Sequence, residues 1–158
     1  MKTIILYATK NGAAAEIANR IAGQIEGAVT HDLKQTPIPP LTDFDCVIVG
    51  SSIYAGMIRK EAKGFLTANT GLLSEKRLGL YISGMSMENE EGVLSTCFSE
   101  DLVKAAKAAN VLGGIFDPAK SGFFARLIMK AVTKQSGYVC NISDEKIMQF
   151  ADNMKTAE

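Results

Sequence analysis

The sequence predicts an α/β fold, a doubly wound three-layer sandwich around a five-stranded parallel sheet. Three observations predict it. Ile4–Tyr7 and Cys46–Val49 are short, near-continuous apolar runs, as in strands covered on both faces. Apolar residues at helical spacing follow, as at Ile17, Ile21 and Ile25. Segments of the two kinds then alternate along all 158 residues, the order that builds crossover units.

Each element has its own signal. Thr3 to Ala18 reads as a buried strand, a polar turn at Thr9-Lys10-Asn11-Gly12 and the start of a helix at Ala13. That helix closes near Gly27, a C-terminal cap. Ala28–Leu33 is a short mixed strand suited to an edge, and Pro37, Pro39 and Pro40 enforce a surface connection within the domain. Asp45–Gly50 is the third strand, and Ser51–Gly56 follows as a loop. Ile58, Ala62, Phe65 and Leu66 mark a helix closing around Gly71. Leu78–Ile82 is the fourth strand and ends in the turn Ser83–Ser86. Leu94, Phe98, Leu102 and Ala106 mark the next helix, and Asn110–Phe116 the fifth strand. Ser143 caps a last helix, with Asp144 and Glu145 at its positive end and Ile147, Phe150, Ala151 and Met154 on its inner face. The expected strand order is 2-1-3-4-5, in one domain spanning 1–158.

Composition removes several function classes. A formal net charge of zero provides no field for nucleic acid. No apolar run reaches the length of a membrane span, and Met1-Lys2-Thr3 enters a core strand without a signal peptide, so a cytoplasmic location is expected. Cys46, Cys97 and Cys140 are odd in number and far apart, as suits reduced thiols. His31 is the single histidine, which leaves a histidine metal site or a Ser–His triad little to build on. Gly50-Ser51-Ser52 is no nucleophile elbow, because Tyr54 stands where that motif needs glycine. Neither a G-x-x-x-x-G-K-[ST] loop nor a G-x-G-x-x-G fingerprint is present. A phosphoacceptor receiver domain needs acidic residues where this chain has Ala8-Thr9 and Gly50-Ser51.

In the predicted topology the turns after strands 1, 3 and 4 gather at one end of the sheet. The first is a strand–helix junction, where free backbone N–H groups and the positive helix end suit a phosphate. The sequence Thr9-Lys10-Asn11-Gly12-Ala13-Ala14 resembles the phosphate loop of flavodoxin-like proteins, which hold flavin mononucleotide (FMN). Ala14 stands where that family carries its last hydroxyl, and the loss of one hydrogen bond, worth about 1 kcal/mol, is expected to weaken FMN binding without abolishing it. The resemblance implies that Ser51, Ser52, Ile53, Tyr54, Ala55 and Gly56, together with Ser83, Gly84, Met85 and Ser86, hold the flavin ring. Tyr54 can supply a π face and Met85 or Ile53 an apolar one, while Gly56 and Gly84 permit close backbone approach. Glu88, Glu90 and Glu91 follow the fourth-strand turn. Beside the ring they would disfavour a negative reduced flavin and lower its potential; otherwise they form a solvated acidic loop that opens a helix.

An insertion at about 117–137 separates the fifth strand from the last helix. Phe123, Phe124, Leu127, Ile128, Ala131 and Val132 repeat as in an amphipathic helix, with Arg126, Lys130 and Lys134 along one edge. Such a helix either packs on the domain or rests on an anionic membrane, here through 120–134. GIFDPAKSGFFARLIMKAVTKQSG and DCVIVGSSIYAG resemble the matching segments of flavodoxin-like menaquinone-dependent protoporphyrinogen oxidases. Three functions follow as expectations. The first is an FMN-binding cytoplasmic electron carrier that meets a redox partner protein or a quinone. The second is a flavoenzyme that oxidises protoporphyrinogen with a quinone at the inner membrane face. The third is a non-redox module that has lost FMN.

Overall fold

The computed structural model describes residues 1–120, 122–123, 126–127, 130–131 and 137–155. Its main sheet contains β1 (Thr3–Ala8), β2 (Val29–Asp32), β3 (Cys46–Tyr54), β5 (Arg77–Ser83) and β6 (Ala106–Val111) in the order β2-β1-β3-β5-β6, all parallel. A short β4 (Met57–Ile58) folds back antiparallel on the end of β3, so this is the expected 2-1-3-4-5 order with one extra ribbon. The helices are α1 (Ala13–Gln24), α2 (Lys60–Ser74), α3 (Glu90–Cys97), α4 (Glu100–Ala105) and α5 (Asp144–Lys155). A two-stranded ribbon of β7 (Ile115–Phe116) and β8 (Val139–Cys140) lies outside the main sheet.

Side chains alternate across the pleat and so divide each strand between two cores. Ile4, Leu6, Val47, Val49, Leu78, Leu80 and Ile82 face one layer, which includes Ala62, Phe65 and Leu66 of α2, Leu94 of α3 and Leu102 of α4. Ile5, Cys46, Ile48 and Tyr81 face the other, against Ile17, Ala18 and Ile21 of α1 and Ile147, Phe150, Ala151 and Met154 of α5. The edge position of β2 explains its mixed sequence, since Val29 and Thr30 are exposed.

Several boundaries differ from the sequence expectation: Ile58, expected on a helix, lies in β4, and α1 ends at Gln24, short of Gly27. Ser51–Tyr54 is not loop but the end of β3, and only Ala55 (φ 50) and Gly56 (φ 76) form the turn. Two left-handed residues between paired Tyr54 and Met57 make the tight hairpin whose twist matches its strands. Gly71 does not end α2, which runs on to Ser74. The single helix expected over Leu94–Ala106 is two, because extended Ser99 accepts the Leu102 N–H and starts a second. The fifth strand lies at Ala106–Val111 rather than Asn110–Phe116. Gly113 (φ 91) turns the chain there, and a Cβ on it would lie 2.2 Å from the Asn141 carbonyl oxygen.

Candidate functional site

The β1–α1 junction presents a helix N-terminus with no side-chain cap. Gly12 takes the left-handed conformation (φ 96) and caps α1 without a side chain, so the first-turn N–H groups of Ala13, Ala14 and Ala15 are left uncapped. Thr9 folds the turn by accepting the Gly12 N–H at 2.9 Å, which leaves its hydroxyl proton able to donate. Lys10 is exposed at the tip, with its Nζ 5.0 Å from the centre of the Tyr54 ring. Ala14 is fully buried among Ile5, Ile17 and Tyr81, and its carbonyl oxygen accepts the Tyr81 hydroxyl at 2.7 Å.

The hairpin forms a second wall. Buried Ser51 donates to the Ser52 carbonyl and accepts the Arg59 N–H at 2.9 Å, which locks the base of the β3–β4 ribbon. Ser51 is therefore a structural brace and not a free ligand. Tyr54 and Met57 remain exposed on the ribbon. The third wall is Ser83, Gly84 and Met85 after β5. Asn141 straps it to the β6–β7 turn, donating from Nδ2 to the Met85 carbonyl and accepting the Gly114 N–H at 2.7 Å. Gly114 backs directly on Gly84: a Cβ there would lie 3.0 Å from the Gly84 carbonyl carbon.

These walls enclose one cleft of about 130 Å³. Of the sequence-predicted residues, Lys10, Asn11, Ala13, Ser52, Ile53, Tyr54, Ser83, Gly84 and Met85 line it. Thr9, Gly12, Ala14, Ser51, Ala55, Gly56 and Ser86 do not; the first six shape the walls or the core behind them, and Ser86 is exposed beyond the turn. Arg59, Gly114, Ile115 and Gly122 complete the lining, and the sequence reading missed all four. Arg59 had one available signal: a cation at the start of a helix directly after the Ser51–Gly56 segment.

Among the described lining residues, the charged ones are Lys10 and Arg59, and no carboxylate is present. This corrects the acidic expectation. Glu90 turns away and accepts from Val111 N–H at 2.7 Å, Asn110 Nδ2 at 3.0 Å and Lys146 Nζ at 2.8 Å. Burial pushes its pKa up, but the ammonium, amide and backbone donors outweigh that and hold it below the usual carboxylate value. Glu91 lines a separate groove between α3 and α4, and Glu88 is exposed. His31 bonds the Gln35 carbonyl at the edge of the sheet, and no cluster of three metal-ligating side chains occurs among the described residues.

A family model described as a flavodoxin domain matches residues 4–141. The chain belongs to the flavodoxin family. Solved flavodoxins share its fold along nearly their whole length. Oxidised flavodoxin 2 from Bacillus cereus is 20% identical at a TM-score of 0.63, covering 98% of this chain and 97% of its own. A flavodoxin from Streptococcus pneumoniae TIGR4 is 17% identical at 0.63, over 98% and 97%. The rubredoxin oxygen:oxidoreductase of Desulfovibrio gigas is 19% identical at 0.60, with 97% of this chain matching 35% of that longer one. At these identities the likeness is one of fold. No curated protein matches the chain.

FMN is the cofactor that a flavodoxin domain implies, and the residues present fit it. The uncapped α1 N-terminus, Thr9 and Lys10 suit its phosphate. Ile53, Tyr54 and Met85 offer apolar and aromatic surface to the ring, and the side-chain-free wall of Gly84 and Gly114 admits it closely. Arg59 adds a second positive charge to the lining. The cleft is smaller than the roughly 300–1,000 Å³ of enclosing ligand sites.

Proposed function

We propose that this flavodoxin domain is an FMN-binding electron carrier, moving electrons one or two at a time between a donor and an acceptor protein or quinone. The observation that carries the reading is the meeting of three separate segments, at Lys10–Ala13, Ser52–Tyr54 and Ser83–Met85, in one shallow cleft. Bound FMN supplies the redox chemistry. The chain's own residues do the rest. Lys10, Thr9 and the first-turn N–H groups of α1 hold the phosphate. Ile53, Tyr54 and Met85 orient the ring. The cleft is open to the surface, where a partner can approach. No described lining side chain is a carboxylate or a histidine. Anaerobic reduction of the FMN-loaded protein with dithionite, followed by a menaquinone analogue, tests this. Reversible bleaching and recovery are expected. A folded protein that stays colourless and ignores added FMN would leave only the non-redox module.

A second reading, oxidation of protoporphyrinogen with a quinone at a membrane surface, is favoured by Phe123 and Leu127. They lie one helical turn apart and are 70% and 49% exposed. Much of the basic amphipathic stretch at 120–134 lies outside the described residues, and no described helix is long and apolar enough to cross a membrane. Anaerobic turnover of protoporphyrinogen with a menaquinone analogue separates this enzyme from a simple carrier.

A further inference from the structure

Two facts about the cleft bear on its electrostatics. The acidic residues that would oppose negative charge on a reduced flavin are turned away, since Glu90 is committed to Lys146, Asn110 and Val111. In their place stands Arg59, whose backbone is fixed from both sides. Its N–H donates to buried Ser51, and its carbonyl accepts the Lys63 N–H in the first turn of α2 at 3.0 Å. Arg59 lines the cleft and is, with Lys10, one of the two charged residues among its described lining. The other lining cation, Lys10, is exposed and sits over Tyr54, so it is solvated and engaged in a way that Arg59 is not.

We propose that Arg59 sets the redox poise of this site: its guanidinium favours the negative charge that the FMN ring gains on reduction and so raises the two-electron potential. The proposal rests on the FMN reading above. Oxidised ring, two electrons and one proton give a monoanion. A fixed cation in a partly desolvated cleft stabilises that monoanion more than the neutral oxidised ring. Arginine suits the task because its charge does not titrate, and its planar fork donates to carbonyl and ring-nitrogen acceptors. The resulting carrier would be a milder reductant than the same fold with an acidic rim.

The test compares wild type, Arg59→Gln and Arg59→Lys. Neither substitution disturbs the backbone bond to Ser51, and thermal melting checks that each variant is folded. Midpoint potentials come from anaerobic equilibrium titration against a reference dye, with dithionite supplying the electrons. Affinities for oxidised FMN and for riboflavin come from fluorescence quenching. Arg59→Gln is expected to lower the ratio of reduced- to oxidised-FMN affinity at least tenfold, which is about 30 mV for a two-electron couple. Arg59→Lys is expected to recover at least half of that shift. Oxidised FMN and riboflavin should each bind all three proteins within a few-fold. An unchanged midpoint in FMN-loaded Arg59→Gln overturns the proposal. So does a fall in FMN affinity that riboflavin does not share, because Arg59 would then serve the phosphate. A folded wild type that binds neither flavin overturns the FMN reading itself, a result distinct from both.

Discussion

The hydroxyl of Tyr81 donates a 2.7 Å hydrogen bond to the carbonyl oxygen of Ala14, joining the centre of β5 to the first turn of α1 beneath the phosphate loop. The ring reaches across β3 only because position 50 has no side chain. A Cβ on Gly50 would lie 1.8 Å from Tyr81 Cζ. Both residues are fully inside the protein, and Phe150 meets the Tyr81 ring edge-on at 6.4 Å, so the ring has no room to swing away.

Tyr81→Phe keeps the packing and removes one buried hydrogen bond. The expected loss is about 1 kcal/mol, which thermal melting reads as a fall of about 2–4 °C. Gly50→Ala forces a methyl into the ring and is expected to cost more than the ~1–3 kcal/mol of ordinary overpacking. Combining Gly50→Ala with Tyr81→Leu should recover part of that loss. A strictly additive double mutant would show that the two residues do not share the space.

Restoring the family's hydroxyl with Ala14→Thr is expected to fail. The Ala14 side chain has no exposure and packs against the core instead of lining the cleft. The added atoms should destabilise the protein by about 1–3 kcal/mol and leave FMN affinity no tighter. A fluorescence titration showing clearly tighter binding would contradict this placement.

The Glu90 carboxylate ties α3 to β6 and α5. Its folded-state pKa lies below the ordinary 4.5, so its stabilisation is complete above the unfolded-state value and is lost as pH falls through the folded-state value. Denaturant melts of wild type and Glu90→Gln should therefore differ by about 1.5–3 kcal/mol at neutral pH and converge in acid. A difference that persists unchanged at the lowest pH at which the protein folds would contradict the strut.

The three thiols should report their burial. Cys140 is exposed, Cys97 half-buried and Cys46 sealed in the core. Burial pushes the Cys97 thiol up, and pushes Cys46 up to about 11. Ellman's reagent at mildly alkaline pH should label Cys140 first, Cys97 more slowly and Cys46 only on unfolding. Cys46 also predicts a stability loss as pH rises from the ordinary thiol value of about 9 toward about 11, because the unfolded chain releases that proton first.

The parts of this protein legible in sequence are those set by short-range periodicity. The run Ile4–Leu6 and the spacing of Ile17 and Ile21 specify β1, α1 and their contact, so the strand–turn–helix junction stands where the sequence puts it. The parts set by partners distant in the chain were not legible. The alternation that makes Ser51–Tyr54 a strand is completed by pairing with Met57–Ile58 across a turn that places Ala55 at positive φ, where alanine gives no turn signal. Arg59 enters the cleft because that turn reverses the chain. Asn141 acts on Met85 and Gly114 through β7–β8, a ribbon with only two residues per strand. Glu90 read as a rim charge because its partner Lys146 lies on the last helix.

The central claim is that three segments at one end of the sheet grip one ligand together, and amide chemical-shift mapping during an FMN titration tests it most directly. Amides of Lys10–Ala13, Ser52–Tyr54, Ser83–Met85 and Gly114 are expected to shift along one saturation curve with a single midpoint. Shifts confined to one segment, or none in a folded sample at saturating FMN, would contradict it.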